Sequence, residues 1–228
     1  MAVRDYLQPA NAGNQMWQVL ASNLTRGPHP YNFKGFCMTL VVQWLLEIHA
    51  EPGATPEALG RHLLNADLGA HGYRDIALSH HIYDSLNPGL GVNEGIFRRH
   101  SGGTLRREQS LSANSAQNHW RIIRAGIYGE SLEDGPPVNA ARRYSAHISL
   151  SGPNSWILRR LSGDTWGHTI GLYSDGHRVY FFDPNYGVFV FGQANRQAMA
   201  NFIRDLWTEY GATEGRRARI TRDAVPGY

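Results

Sequence analysis

The stretch "GHTIGLYSDGHRVYFFDPNYGVFVF", residues 167–191, contains three apolar runs, HTIGLY, RVYFFD and VFVF. The runs are rich in β-branched and aromatic residues, which favour strands, and the polar sequence SDGH separates the first two runs. This pattern predicts three consecutive strands, of which the first two form an antiparallel hairpin.

The loop between the first two strands predicts their register. If SDGH is a four-residue loop, Tyr173 pairs with Arg178, and His168 then lies directly opposite Asp183. Directly opposed residues share a face of the sheet, with β-carbons about 5 Å apart, so the imidazole and the carboxylate can form a hydrogen bond. The same face carries the predicted pairs Ile170 with Phe181 and Leu172 with Val179. Because this face is apolar, we expect it to pack on the core.

The only cysteine of the chain, Cys37, lies in the segment "NFKGFCMTL", residues 32–40. After it, Leu40, Val41 and Trp44 recur at helical intervals, which places Cys37 at or just before the start of a largely buried helix. A lone cysteine is by default a small buried apolar residue. A histidine held by a carboxylate on an apolar hairpin face would, however, point at the helix that packs there, and the Cys37 helix is the candidate.

These three residue types together are suited to nucleophilic catalysis. A helix amino terminus and an adjacent imidazolium both stabilise a thiolate, and a carboxylate fixes the orientation of the histidine. The backbone N–H of Cys37 and the side-chain amide of Asn32 could stabilise an oxyanion, although Asn32 near Pro30 also fits a simple turn residue. Pro184 has no N–H for the ladder, so pairing can stop there and leave the site open.

Composition excludes several classes of site. The 228 residues are 42% apolar, which is enough for a sizeable core, and a single cysteine permits neither an intramolecular disulfide nor a cysteine zinc site. The net charge is +3, and arginines occur in scattered pairs without a basic block, so we expect no nucleic-acid groove. The sequence contains no HExxH, phosphate-binding glycine loop or GxSxG motif. We therefore expect no metal and no cofactor.

The rest of the chain indicates helices first and a sheet later, hence an α+β fold. No run approaches the length of a membrane span, and the first residues do not form a signal peptide, so we expect no integral membrane segment. A single domain over 1–228 is predicted, in which 51–150 is variable and 69–110 forms a loop-rich cap. The other predicted elements are helices at 14–24, 55–67, 112–126 and 193–211, a loop at 135–137, a strand over 142–150 and a frayed arginine-rich tail.

Three segments resemble a known family. "GFCMTLVVQW", "GHTIGLY" and "YFFDPNYGVFVF" are similar to the glycine-x-cysteine helix, the glycine-histidine strand and the Asp-Pro-Asn segment of the YopT/AvrPphB family of bacterial effector cysteine proteases. The resemblance implies a papain-like fold, with helices on a central antiparallel sheet. It also implies that Cys37 is the nucleophile, His168 the general base and Asp183 the orienting acid, with Asn32 at the oxyanion position.

The resemblance further implies a virulence effector that is secreted, with type III secretion as the associated route, and that acts in the host cytoplasm or at its membranes. Its partner would be a host protein, a small GTPase or a kinase. Two alternatives stay open. The same triad occurs in acyltransferases and glutamine deamidases, and a noncatalytic binding module would use Cys37 and the hairpin only for packing. The oligomeric state is not predicted.

Overall fold

The computed structural model describes residues 37–64, 106–130, 141–151, 167–209 and 217–224. The helices in these ranges are α1 (Cys37–Ala50), α2 (Pro56–Leu64), α3 (Ala116–Tyr128) and α4 (Arg196–Glu209). The strands are β1 (Arg106–Ala113), β2 (Arg143–Ser151), β3 (Gly167–Asp175), β4 (Arg178–Asp183), β5 (Gly187–Gly192) and β6 (Arg217–Ala224). They form one antiparallel sheet in the order β1-β6-β2-β3-β4-β5. The predicted α+β class is confirmed.

Helices cover both faces of the sheet. One apolar cluster joins α3 and α4 to the face that carries Ile170, Leu172 and Phe181. A second cluster joins α1 and α2 to the opposite face, which carries Tyr180 and Phe182. Because β4 is buried on both faces, its sequence is a continuous apolar run rather than an alternation of apolar and polar residues.

The ends of the helices follow local capping rules. Thr55 Oγ1 accepts a hydrogen bond from the N–H of Ala58 at 3.2 Å, as predicted for the start of α2. Ser115 caps α3 in the same way through the N–H of Asn118, at 3.1 Å. The helix predicted over 112–126 therefore begins at Ala116, and the two residues before Asn114 belong to β1.

Two strands lie where the sequence predicts none. Residues 106–110, expected in a loop, are part of β1, and the tail after α4, expected to be frayed, contains β6. Strand β6 pairs with β1 on one side and with β2 on the other. Its sequence "RARITRDA" contains a single large apolar residue, Ile220, which is buried, so partners distant in sequence, rather than local apolar periodicity, determine this strand.

Several predicted segments lie outside the described residues. They are the helix at 14–24, the loop at 135–137 and the part of the cap over 69–105. None of the helices within the described ranges is long and apolar enough to cross a membrane.

The predicted register of the β3–β4 hairpin is wrong by two residues. Tyr173 pairs with Tyr180, not with Arg178. The cause is the side chain of Asp175, whose Oδ1 accepts hydrogen bonds from the N–H groups of His177 and Arg178, both at 2.7 Å. These bonds move the turn one residue along the chain. A shift of two residues leaves every side chain on its original face.

Candidate active site

The β3–β4 ladder opens at one end, and the predicted site lies there. Paired residues of β3 and β4 end at Gly171 and Phe182 in the described part of the chain. Beyond that pair β3 stays bonded to β2 as far as Gly167, and β4 stays bonded to β5 as far as Asp183. His168 and Asp183 therefore lie on two neighbouring strands just where those strands stop pairing with each other.

The expected hydrogen bond between His168 and Asp183 is present. His168 Nε2 lies 2.9 Å from Asp183 Oδ1, and both side chains are buried, with Asp183 0% exposed. The corrected register makes the two residues diagonal neighbours rather than directly opposed ones, and side chains of this length still meet across that diagonal. An imidazole that donates from Nε2 to a carboxylate has Nδ1 left as its second reactive nitrogen.

A tight turn holds Asp183. Its Oδ1 also accepts the N–H of Asn185 at 2.8 Å, and its backbone carbonyl accepts the N–H of Tyr186 at 2.9 Å. Pro184 thus occupies the second position of a four-residue turn, which suits its restricted φ. Gly187 follows with φ of 122°, a conformation that other residues rarely adopt. Backbone hydrogen bonds within the segment "DPNYG" therefore fix the position of the Asp183 carboxylate.

The Cys37 thiol lies at the first residue of α1, within hydrogen-bond reach of His168 and Thr169. Burial by itself raises the pKa of this thiol, because a buried anion loses its hydration. The hydrogen bond and charge of His168, together with donors from Thr169, outweigh burial, so the Cys37 pKa is lowered from its usual value. The amino terminus of a helix favours an anion at the same place.

His168 is the matching cation. Burial lowers the pKa of this imidazole, but the charge and hydrogen bond of Asp183, with a smaller effect of Cys37, raise it to about 10. Because the pKa of the Cys37 thiol is lowered and that of the His168 imidazole is raised, the thiol loses its proton first, and a thiolate–imidazolium pair exists between the two values.

Thr169 is a site residue that sequence reasoning missed. Both its backbone and its side chain interact with the Cys37 thiol, and it is 4% exposed. The only signal in the sequence is its position next to His168, and a threonine within a strand carries no catalytic pattern of its own. Asn32, the predicted oxyanion residue, lies outside the described residues.

One expectation about the hairpin is wrong. The face of His168, which also carries Ile170 and Phe181, was expected to pack on the Cys37 helix. These two apolar residues instead contact the cluster of α3 and α4, whereas α1 packs on the opposite face. The thiol and the imidazole nevertheless meet, because both lie at the end of the sheet where β3 and β4 part.

The described residues contain no group of histidine, cysteine and acidic side chains suited to a metal ion. The side chains that meet at the site are a thiol, an imidazole and a carboxylate.

Comparison with known protein families finds a match to part of the chain. Residues 140–221 match the Peptidase_C58 family, described as Yersinia/Haemophilus virulence surface antigen. The resemblance to the YopT/AvrPphB family is confirmed. The matched residues include His168 and Asp183 and begin beyond Cys37. The comparisons support a cysteine peptidase with the character of a virulence effector. Comparison with curated protein sequences finds no significant match.

Among solved structures, the avirulence protein AvrPphB of Pseudomonas is similar with a TM-score of 0.50 and 18% sequence identity. The similarity covers 90% of this chain and 99% of AvrPphB. It is a similarity of fold, and it confirms the predicted papain-like architecture.

Two other structures are more distant. A ubiquitin-specific protease from a murine cytomegalovirus tegument protein has a TM-score of 0.40 at 12% identity, over 85% of this chain and 79% of its own. A cysteine protease-like domain of the Photorhabdus asymbiotica toxin PaTox has a TM-score of 0.29 at 10% identity, over 92% and 87%.

Proposed function

We propose that this chain is a cysteine protease in which Cys37 is the nucleophile, His168 the general acid and base, and Asp183 the residue that orients the histidine. The observation that carries the proposal is the buried 2.9 Å bond between His168 Nε2 and Asp183 Oδ1, beside a thiol of lowered pKa at a helix amino terminus. A packing role alone gives no reason to bury this carboxylate and imidazole together, because burial of charged groups is costly.

The reaction begins from the thiolate–imidazolium pair. The Cys37 sulfur attacks the carbonyl carbon of a peptide bond, and the carbonyl oxygen takes the negative charge. His168 Nδ1 then donates its proton to the leaving nitrogen as the carbon–nitrogen bond breaks, which leaves a thioester on Cys37. A water molecule, deprotonated by His168, attacks the thioester and releases a carboxylic acid and the free thiol.

The developing oxyanion needs hydrogen-bond donors. The backbone N–H of Cys37 is one of the first N–H groups of α1, and such groups have no partner within a helix. We assign it as one donor and the side-chain amide of Asn32 as the second. Loss of one such donor typically lowers kcat by about 10²- to 10³-fold, so Asn32→Ala is expected to retain thiol reactivity and lose turnover.

The proposed substrate is a host protein, a small GTPase or a kinase, and the proposed setting is a secreted effector that acts in the host cytoplasm or at its membranes. The family match supports the character of a virulence effector, and the resemblance to that family is the basis for the proposed substrate class and location. Type III secretion is the route that the family resemblance favours.

The test is incubation of the purified chain with a host-cell lysate, followed by chemical labelling and sequencing of new protein amino termini. Native protein is expected to generate a small set of new termini that Cys37→Ser and His168→Ala do not generate. A modified lysine or glutamine without chain cleavage would instead identify an acyltransferase or a deamidase. No difference between native protein and Cys37→Ser, together with a thiol that alkylates only near pH 8.5, would establish a noncatalytic module.

A further inference from the structure

Trp44 is the largest fully buried side chain among the described residues, and it contacts both strands of the site. Its indole ring lies against the ring of Phe182 on β4, with centroids 5.2 Å apart. Its other neighbour is the backbone of Gly171 on β3, where an added β-carbon would lie 2.7 Å from Trp44 Cε3. Gly171 and Phe182 are the last pair of the β3–β4 ladder before His168 and Asp183 diverge.

A hydrogen bond and two packing contacts hold the indole ring of Trp44 in place. Trp44 Nε1 donates a hydrogen bond of 2.9 Å to the backbone carbonyl of Pro56, the first residue of α2. This bond anchors the polar edge of the ring, while Gly171 and Phe182 limit its two other sides. Trp44 therefore joins α1, α2, β3 and β4 at one point.

The distance from Trp44 to Cys37 along α1 nearly equals the distance from Gly171 to His168 along β3. Trp44 is seven residues after Cys37, which is two helical turns and about 10.5 Å. Gly171 is three residues after His168, which is about 10 Å of extended strand. Further along, His49 meets Tyr173, with ring centroids 5.9 Å apart, so α1 and β3 run side by side in the same direction. A fixed Trp44–Gly171 contact thus places Cys37 level with His168.

We propose that the contact between Trp44 and Gly171 sets the separation of the Cys37 thiol from the His168 imidazole. Trp44 is therefore a positioning residue for the proposed reaction. Glycine at 171 lets the indole approach the strand backbone, and a β-carbon there would force the indole to shift. Because the bond to Pro56 anchors the ring, we expect α1 to move away from β3 with it. A displacement of about 1 Å is enough to break a hydrogen bond that holds a thiolate–imidazolium pair. This inference rests on the proposed function, since it concerns the same thiol.

The experiment measures the rate of alkylation of the chain by iodoacetamide between pH 4 and pH 10, by intact mass. Because Cys37 is the only cysteine, mass that is added to native protein but not to Cys37→Ser reports on that thiol. Gly171→Ala is expected to move the midpoint of the pH profile up toward an ordinary cysteine, near 8.5, and to slow alkylation at pH 6 by at least about tenfold. Trp44→Leu is expected to change the profile in the same direction.

The chain offers a matched control for each variant. Gly126→Ala crowds another glycine–aromatic contact, since its β-carbon would lie 2.4 Å from Tyr144 Cζ in the cluster of α3 and α4. Trp207 is a second buried tryptophan, which donates through Nε1 to His119, so Trp207→Phe matches a change at Trp44. Both controls are expected to lower the melting temperature without changing the pH profile.

A double variant tests the contact itself. In Gly171→Ala with Trp44→Leu, the smaller side chain leaves room for the methyl group, so the two changes are expected to be non-additive in their effect on the alkylation midpoint. Trp44→Phe gives a second measurement if Gly171→Ala fails to fold. It retains a ring and loses the bond to Pro56, so a small midpoint shift is expected.

The outcomes separate this inference from the proposed function. A native midpoint near 8.5 overturns the proposed function and the inference with it. A low native midpoint that stays low in Gly171→Ala and in both Trp44 variants overturns the inference alone. Equal midpoint shifts in Gly171→Ala and Gly126→Ala also overturn it, because they would show a general loss of stability rather than a loss of positioning.

Discussion

His168 donates a 2.9 Å hydrogen bond to Asp183 across a diagonal of the β3–β4 hairpin, at the point where the two strands separate. The paired residues of the ladder end at Gly171 and Phe182, three residues from His168 along β3 and one residue from Asp183 along β4. The bond therefore depends on two local features, the Asp175 turn that sets the hairpin register and the Asp-Pro-Asn turn that holds the carboxylate.

The first prediction concerns the pH profile of Cys37. Native protein is expected to alkylate at a lower pH than an ordinary cysteine, because the thiol pKa is lowered, and to show a second change near pH 10, where His168 loses its proton. In His168→Ala the midpoint should rise to about 8.5 or above, since burial then acts on the thiol without a cation. Intact mass at each pH measures both, and Cys37→Ser, which should gain no mass, is the control. Identical profiles for native and His168→Ala would contradict the prediction.

The second prediction concerns Asp183→Asn. The amide can still accept a hydrogen bond from Nε2 but carries no charge, so the pKa of His168 should fall from about 10 toward its ordinary value. Removal of a nearby opposite charge changes a pKa by about one to three units. A less stable imidazolium stabilises the Cys37 thiolate less, so alkylation of Cys37 at pH 6 should slow by about tenfold or more.

Titration of the His168 ring protons by NMR measures the pKa in Asp183→Asn directly. Asp205→Asn, on the distant helix α4, is the control and should match native protein. A pKa of His168 that stays near 10 without the carboxylate would show that another group holds the imidazolium.

The third prediction concerns stability at acidic pH. His119 is 0% exposed, its Nδ1 accepts a hydrogen bond from Trp207 Nε1, and its Nε2 has no hydrogen-bond partner within the described ranges. Burial lowers the pKa of His119 to about 3, from 6.5 in an unfolded chain. Between these two values the unfolded state binds the extra proton. Neutral His119 therefore contributes stability that is present above about pH 6.5 and lost as pH falls toward 3.

The measurement is urea unfolding at pH 7 and pH 4.5, for native protein and His119→Gln. Glutamine can accept the Trp207 hydrogen bond and does not titrate, so it serves as the matched variant. Native protein should lose about 2 to 3 kcal/mol more than His119→Gln between the two pH values. An equal loss in both proteins would mean that other groups cause the acid sensitivity.

The fourth prediction concerns the close approach of α2 to β5. A β-carbon added at Gly60 would lie 2.2 Å from Val188 Cγ2, so Gly60→Ala should lower the free energy of unfolding by about 1 to 3 kcal/mol. Gly53 is exposed, with no atom within 4 Å of its added β-carbon, so Gly53→Ala should change stability by less than about 0.5 kcal/mol. Urea unfolding measures the free energy of unfolding of both variants. Equal losses in Gly60→Ala and Gly53→Ala would contradict the close packing of α2 on β5.

Local patterns predicted much of the sheet and its helices. The apolar runs that became β3, β4 and β5, the alternation in β2 and the helical spacing in α1 and α4 all arise from neighbours in the sequence. Strands β1 and β6 were missed for the opposite reason. Their sequences show little apolar periodicity, and the two strands form because each pairs with a strand that is distant in the sequence.

The candidate site divides in the same way. The residue types Cys37, His168 and Asp183, their order and their place at element ends could be read from the sequence by itself, because helix starts and strand turns have local signals. Only the tertiary structure decided the hairpin register, the face on which α1 packs, the contribution of Thr169 and the contact of Trp44 with Gly171. The physical reason is that side-chain hydrogen bonds and close packing between distant segments determine these features, and no local pattern encodes them.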